Sequence, residues 1–182
     1  MLGGTSRRIA VALAAACLSL VLVGAAVASP TQPRRPAASL SSLEQGVLAD
    51  INAFRTQHKL APLRLSAPLT TAAREHTQQM ADQGYFAHES ADGSAFWKRI
   101  QHLYTSSPWR YWSVGENLLW SSPDVDAQGA LQMWLDSPEH RANLLTARWR
   151  EIGVSALHVA AAPGAFRGLD VTIVTTDFGV RH

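Results

Sequence analysis

The sequence predicts an α+β fold, and three observations carry that reading. Apolar residues recur at helical spacing from Leu43 to about Leu145. From Ile152 onward the pattern changes to β-branched residues in partial alternation. No internal repeat interrupts this division of helices first and strands last.

Each element has its own signal. Ser41-Ser-Leu-Glu44 is a capping-box pattern, and Leu43, Val47, Ile51, Phe54 and His58 follow at helical spacing, with Asn52 and Arg55 toward one flank. Ser66 is placed to cap a second helix that tolerates Pro68 in its first turn. Leu69, Ala72, Ala73, His76 and Met80 share the buried face of that helix, and Gly84 stops it. Asp92-Gly93 is a turn, after which a third helix is predicted from about Ser94 to Leu103, with Phe96, Ile100 and Leu103 inward. The next ten residues hold Tyr104, Trp109, Tyr111 and Trp112 without a regular period, so a packed loop is expected, leading into a loop at Gly115-Glu-Asn117. Ser122-Pro-Asp124 is read as the start of a fourth helix, lined by Ala127, Ala130, Leu131 and Trp134. Ser137 and Pro138 restart a short helix through Leu145, as cap and first helical residue. Residues 152–159 and 169–180 read as two strands joined by a Gly/Pro loop at 160–168.

The first 28 residues read differently. Arg7 and Arg8 precede a 20-residue apolar stretch, Ile9 to Ala28, and Ala26-Val-Ala28 puts small residues where a signal peptidase reads. Residues 1–28 are therefore expected to be a secretory signal peptide. The competing reading is a retained anchor, since 20 apolar residues span a bilayer. Cys17 follows Ala14-Ala-Ala16, a poor lipobox. Residues 29–39, rich in Pro, form an expected disordered linker, which places the domain at 40–182. Cleavage after Ala28 removes two of 16 basic residues and none of 14 acidic ones, so the formal charge falls from +2 to about zero. The mature chain then gives no electrostatic footprint for nucleic acid. It also holds no Cys, so its stability must come from its core.

Two imidazoles and a carboxylate, His88, His140 and Glu116, are chemically suited to zinc with a fourth position left to water. Yet 28 and then 24 positions separate them, and no local signature joins them. Glu139-His140 is not the His-Glu-x-x-His helix of metalloproteases. Lone His residues are more often structural or solvated. His76, on one face with Leu69, Ala73 and Met80, reads as a core His bonded to backbone or a neighbour. The six Trp, all between residues 97 and 149, read first as packing and second as a groove for lipid or peptide. Asp177 has no spacing that assigns it a role, and no Gly-x-Ser-x-Gly turn marks a serine nucleophile.

A further signal lies in scattered patches: Asn52-Ala-Phe-Arg55, Ala73-Arg-Glu-His76-Thr-Gln-Gln-Met80, Gly84-Tyr-Phe-Ala-His88, Gly115-Glu-Asn117, Ser137-Pro-Glu-His-Arg-Ala-Asn-Leu144 and Glu151-Ile-Gly153. In this order they resemble the CAP superfamily, the SCP-like extracellular proteins that include cysteine-rich secretory, antigen 5 and pathogenesis-related proteins. The resemblance implies an α-β-α sandwich and a secreted, extracellular protein. It also implies that His88, Glu116 and His140 meet in a cleft able to hold a divalent metal, zinc favoured. Asn117 and Asn143 would hold Glu116 and His140 in place. The family's second acid falls at Ser137 here, with Asp136 one residue earlier, and a one-residue shift on a helix turns a side chain by about 100°. Arg55 reads as a solvated helix residue, and under the resemblance as the partner of a carboxylate near the end of the domain.

These readings lead to three functions. The first is an extracellular binding module for a small apolar or extended ligand such as a lipid, sterol or peptide. It has no nucleic-acid partner and touches a membrane only if the signal segment is retained. The second is a metal-assisted hydrolase, a peptidase or esterase, in which Glu116 is either ligand or base. The third is a structural cell-surface domain whose His/Glu cluster only braces two loops.

Overall fold

The computed structural model describes residues 40–182. The signal peptide expected at 1–28 and the linker expected at 29–39 lie outside the described residues. The order of elements is α1 (Ser42–Gln57), β1 (Arg64–Leu65), α2 (Ala67–Gln83), α3 (Phe96–Leu103), β2 (Trp112–Ser121), α4 (Ala127–Leu135), α5 (Pro138–Leu144), β3 (Glu151–Ala162), a 3-10 turn at Gly164–Phe166 and β4 (Leu169–Arg181). The strands form one mixed sheet in the order β1-β3-β4-β2. Among the described residues no helix is long and apolar enough to cross a membrane.

Helices cover both faces of the sheet, as strand parity dictates. Val174, Phe178 and Val180 of β4 pack with Ile152, Val154 and Leu119 against Val47 and Ile51 of α1 and Ala130 and Trp134 of α4. The alternate residues Val171 and Ile173 pack with Leu118, Phe166 and Met80 of α2. Leu69 and Ala72 of α2 close on Ile100 of α3 and on Tyr104. The α-β-α sandwich follows. Gly153 sets the approach of α2 to the sheet, since a Cβ there would lie 2.1 Å from the Leu69 carbonyl carbon.

The helix starts show which local signals dominated. Ser41 and Glu44 form the full capping box of α1. Ser66 does not cap α2 with its side chain. It is buried, and its N–H donates to the Ile152 carbonyl at 2.8 Å, so it still serves the short parallel β1–β3 pairing. The fourth helix begins at Ala127 rather than at Ser122, because Asp126 is the residue whose side chain accepts the Gly129 N–H, at 2.7 Å. Ser137 precedes Pro138 as expected, but its hydroxyl donates to Glu139 instead of capping the backbone.

The larger correction concerns residues 112–121. The expected loop at Gly115-Glu-Asn117 is the middle of the ten-residue strand β2. It pairs antiparallel with β4, Glu116 opposite Asp177. Gly and Asn inside a strand resemble turn signals, and a tertiary partner overrides that local preference. As the edge strand, β2 also receives side-chain donors: Trp134 Nε1 reaches the Leu118 carbonyl at 3.1 Å and Asn143 Nδ2 the Glu116 carbonyl at 3.2 Å. Such cover protects a strand edge from unwanted pairing.

Candidate functional site

The site forms where the two helical layers meet at the edge strand β2. Glu116 stands on the α2 side of the sheet, with its side chain fully buried. His88 comes from the segment after α2, which Gly84 ends in a left-handed turn. Its Nδ1 lies 2.8 Å from Glu116 Oε1, while the imidazole stays 46% exposed. His140 comes from α5 on the opposite face. Two asparagines tie that helix to β2. Asn117 Nδ2 donates to the His140 carbonyl at 3.1 Å, and Asn143 Nδ2 donates to Asn117 Oδ1 at 2.8 Å as well as to the Glu116 carbonyl. Trp149 Nε1 donates in turn to Asn143 Oδ1 at 3.0 Å. Gly115 makes the junction possible: a Cβ there would stand 2.8 Å from both Asn143 Oδ1 and Trp149 Cζ2.

Arg99 and Asp177 complete the polar centre. Arg99 Nη2 donates to Glu116 Oε2, and Nη1 reaches Ser90 Oγ at 3.0 Å and, weakly, the His88 carbonyl at 3.4 Å. Its side chain is 9% exposed. Asp177 is wholly buried and neither of its oxygens has a donor. Burial first and the Glu116 charge second raise its pKa well above its ordinary value. His76 is buried too, with Nε2 2.9 Å from the Ala87 carbonyl and Nδ1 unpartnered. Burial lowers its pKa, so it sits neutral beneath the loop that carries His88.

The two cleft imidazoles are driven apart. The hydrogen bond that His88 donates to the Glu116 carboxylate raises His88, while burial, then the nearby His88, lowers His140. The cleft therefore presents a cationic and a neutral imidazole over a range of pH around 6.5.

Asp136 stays out of this cleft. It is exposed at the C-terminus of α4 and accepts from Gln132 Nε2 at 2.7 Å. Arg55 is neither solvated nor paired with a carboxylate. It is fully buried and donates to the carbonyls of Ala61, Leu144 and Thr146 at 3.1, 2.7 and 3.1 Å. Two of those carbonyls lie at and just past the end of α5, where helix carbonyls lack intrahelical donors, and sequence spacing cannot show that Arg55 reaches them.

Arg99 was absent from the residues singled out in the sequence, although a signal existed. Phe96, Arg99, Ile100 and Leu103 fall at i, i+3, i+4 and i+7, so Arg99 stands on the apolar stripe and needs a buried partner. Asp177 had a similar mark, a charge in the middle of a strand buried along ten successive residues.

The donor types of His88, Glu116 and His140 suit a divalent metal, but their arrangement does not. Both Glu116 oxygens are engaged, one by His88 and one by the Arg99 guanidinium. Among the described residues no three His, Cys, Asp or Glu side chains gather as a metal-holding group.

Beside this polar centre an apolar groove of about 250 Å³ opens along β2, lined by Phe86, Leu118, Trp120, Met133 and Trp134 and ending at Ser137 and His140. A more polar hollow of about 680 Å³ is lined by Arg99 together with Gln79 of α2 and Lys98 and His102 of α3.

This two-layered cover of a four-stranded sheet is the fold shared with solved SCP-domain structures. The chain belongs to the CAP family, the cysteine-rich secretory protein family, whose sequence pattern matches residues 48–166. It is 32% identical over 117 residues to the Bacillus subtilis protein YkwD, covering 64% of this chain and 43% of that one. It is 29% identical over 111 residues to the Bacillus subtilis membrane protein YlbC, covering 61% and 30%. The chain thus spans less than half the length of these two relatives. A solved structure of an extracellular protein containing an SCP domain from Bacillus anthracis is 27% identical, with a TM-score of 0.57, over 74% of this chain and 39% of that chain. An outer surface protein from Borrelia burgdorferi, 20% identical with a TM-score of 0.59 over 76% and 92%, shares the fold.

Proposed function

We propose that this chain is an extracellular binding module whose ligand lies along the edge strand β2, in the apolar groove that ends at His140. The groove carries the reading. Met133, one of six large apolar side chains left exposed among the described residues, is 41% exposed and lines this concavity with Trp120 and Phe86. Open apolar concavities with a few polar groups at one end are the usual form of a small-ligand site. A small apolar or extended ligand, such as a lipid, sterol or apolar peptide, fits a groove with imidazole at one end. The extracellular setting is supported by the apolar N-terminal stretch, by family membership and by the Bacillus anthracis and Borrelia burgdorferi neighbours.

The hydrolase reading is weaker on geometry. A general base needs a free lone pair within reach of water, and Glu116 is buried with both oxygens engaged. The test is mass spectrometry of material that co-purifies with the protein, combined with titration of an environment-sensitive apolar dye. Met133→Glu should weaken dye binding about tenfold or more, since it places a charge in the groove. Equal binding by wild type and Met133→Glu, or turnover of an ester or peptide library that Glu116→Ala abolishes, would sink the proposal.

A further inference from the structure

The Arg99–Glu116 contact answers a question that the family resemblance raises, namely what the cleft carboxylate of this chain does. We propose that Arg99 is a resident cation that occupies the place of a metal at Glu116, so that the cleft of this protein excludes divalent ions and removal of the guanidinium opens Glu116 to them.

Three observations support it, and none depends on the groove. First, the contact is built in. Arg99 projects from the inward stripe of α3, its side chain is nine-tenths buried, and it spans from Glu116 to Ser90. A surface arginine pairing by chance would stay solvated and mobile. Second, the charge is already balanced. Arg99 neutralises Glu116, whose side chain has no access to solvent. A divalent ion at Glu116 would meet a fixed guanidinium charge across a buried, weakly screened distance. Third, the carboxylate is turned away from ligation. It holds His88 by Nδ1 at 2.8 Å, which leaves only the two imidazoles to offer nitrogen lone pairs. Two donors fall short of the three or four that zinc takes in proteins.

Arg99 is thus a specificity residue. It acts through Glu116, and it also fastens the His88–Ser90 loop over the sheet.

The experiment is zinc titration by calorimetry at pH 7.5, with cobalt(II) absorption as a second probe, on wild type, Arg99→Gln, Arg99→Lys and the double variants Arg99→Gln/His88→Ala and Arg99→Gln/His140→Ala. Arg99→Gln should take one zinc per chain at least about tenfold more tightly than wild type, because an adjacent like charge is gone. Arg99→Lys should stay as poor as wild type, since the cation remains. Either second substitution should cancel the gain. A cooperative melt of Arg99→Gln shows that it folds; should it not fold, Arg99→Met serves as the neutral variant. The proposal is overturned if a folded neutral variant gains no affinity, or if Arg99→Lys gains as much as Arg99→Gln. The wild-type arm decides independently of any variant. One tightly held zinc per chain, with a cobalt spectrum that His88→Ala or His140→Ala removes, overturns the proposal.

Discussion

Asp177 and His76 are both buried with polar atoms left unpartnered, and pH acts on them in opposite senses. Asp177 has a folded pKa above its unfolded value near 3.9, so the native state holds a proton that the unfolded chain releases. Its presence costs nothing at acid pH and destabilises increasingly as pH rises above about 4. His76 has a folded pKa below about 6.5, so the unfolded chain binds a proton that the native state refuses. Stability is therefore lost as pH falls below about 6.5. Asp177→Asn, which imitates the protonated acid, should melt at the same or a higher temperature than wild type at pH 8, with the difference closing near pH 4. A larger loss at pH 8 than at pH 4 would show Asp177 ionised in the fold. His76→Ala should cost about 1–3 kcal/mol in urea unfolding at pH 7.5, because it opens a cavity and strands the Ala87 carbonyl. His88 is governed by Glu116 instead. Its raised pKa means that the pair stabilises below about 6.5 and loses that contribution as pH climbs through the folded value. NMR titration should place the His88 midpoint above 6.5, and Glu116→Gln should lower it. No change on that substitution would remove Glu116 as the cause.

Among the elements, α1 and α5 are joined by one side chain. Arg55 donates to three backbone carbonyls, two of them at and just beyond the end of α5. Arg55→Met keeps the packing of the stem and leaves those acceptors dry, so it should cost about 2–4 kcal/mol. A loss below about 1 kcal/mol in urea unfolding would mean that water reaches the carbonyls. Gly153 is the corresponding pinch between β3 and α2, and Gly153→Ala should fail to give a native melt, because the added methyl meets Leu69 backbone and no side chain that could turn aside. The long amphipathic helices were readable because a stripe of apolar residues forces one face inward whatever the partner. The start of α4 and the strand β2 were not. Asp126 and Ser122 are both acceptable caps by residue type, and Gly115-Glu-Asn117 carries turn-forming residues into a strand that exists only because β4 lies beside it.

For the whole molecule, the predictions concern processing and redox. Secreted protein should begin at Ser29, and recovery of the uncleaved chain in washed membranes would favour the anchor. The cleaved chain has no Cys, so its melting temperature should be the same with and without a thiol reductant; a shift in metal-free buffer would contradict that processing. The order of helices and late strands, the charge near zero that cleavage after Ala28 would leave, the absence of thiols after residue 17 and the patches that mark the CAP family were all written in the chain itself. So were the residue types His88, Glu116 and His140. What they touch was decided by tertiary structure alone. Hydrophobic periodicity records which side of an element faces inward, and it carries no information about which other element waits there. Glu116 meets Asp177 through a strand register spanning 61 positions, and it meets Arg99 because α3 lands beside the edge strand. Buried charge is set by such long-range pairings, since a carboxylate in a low-dielectric interior takes its state from whatever neighbour the fold delivers.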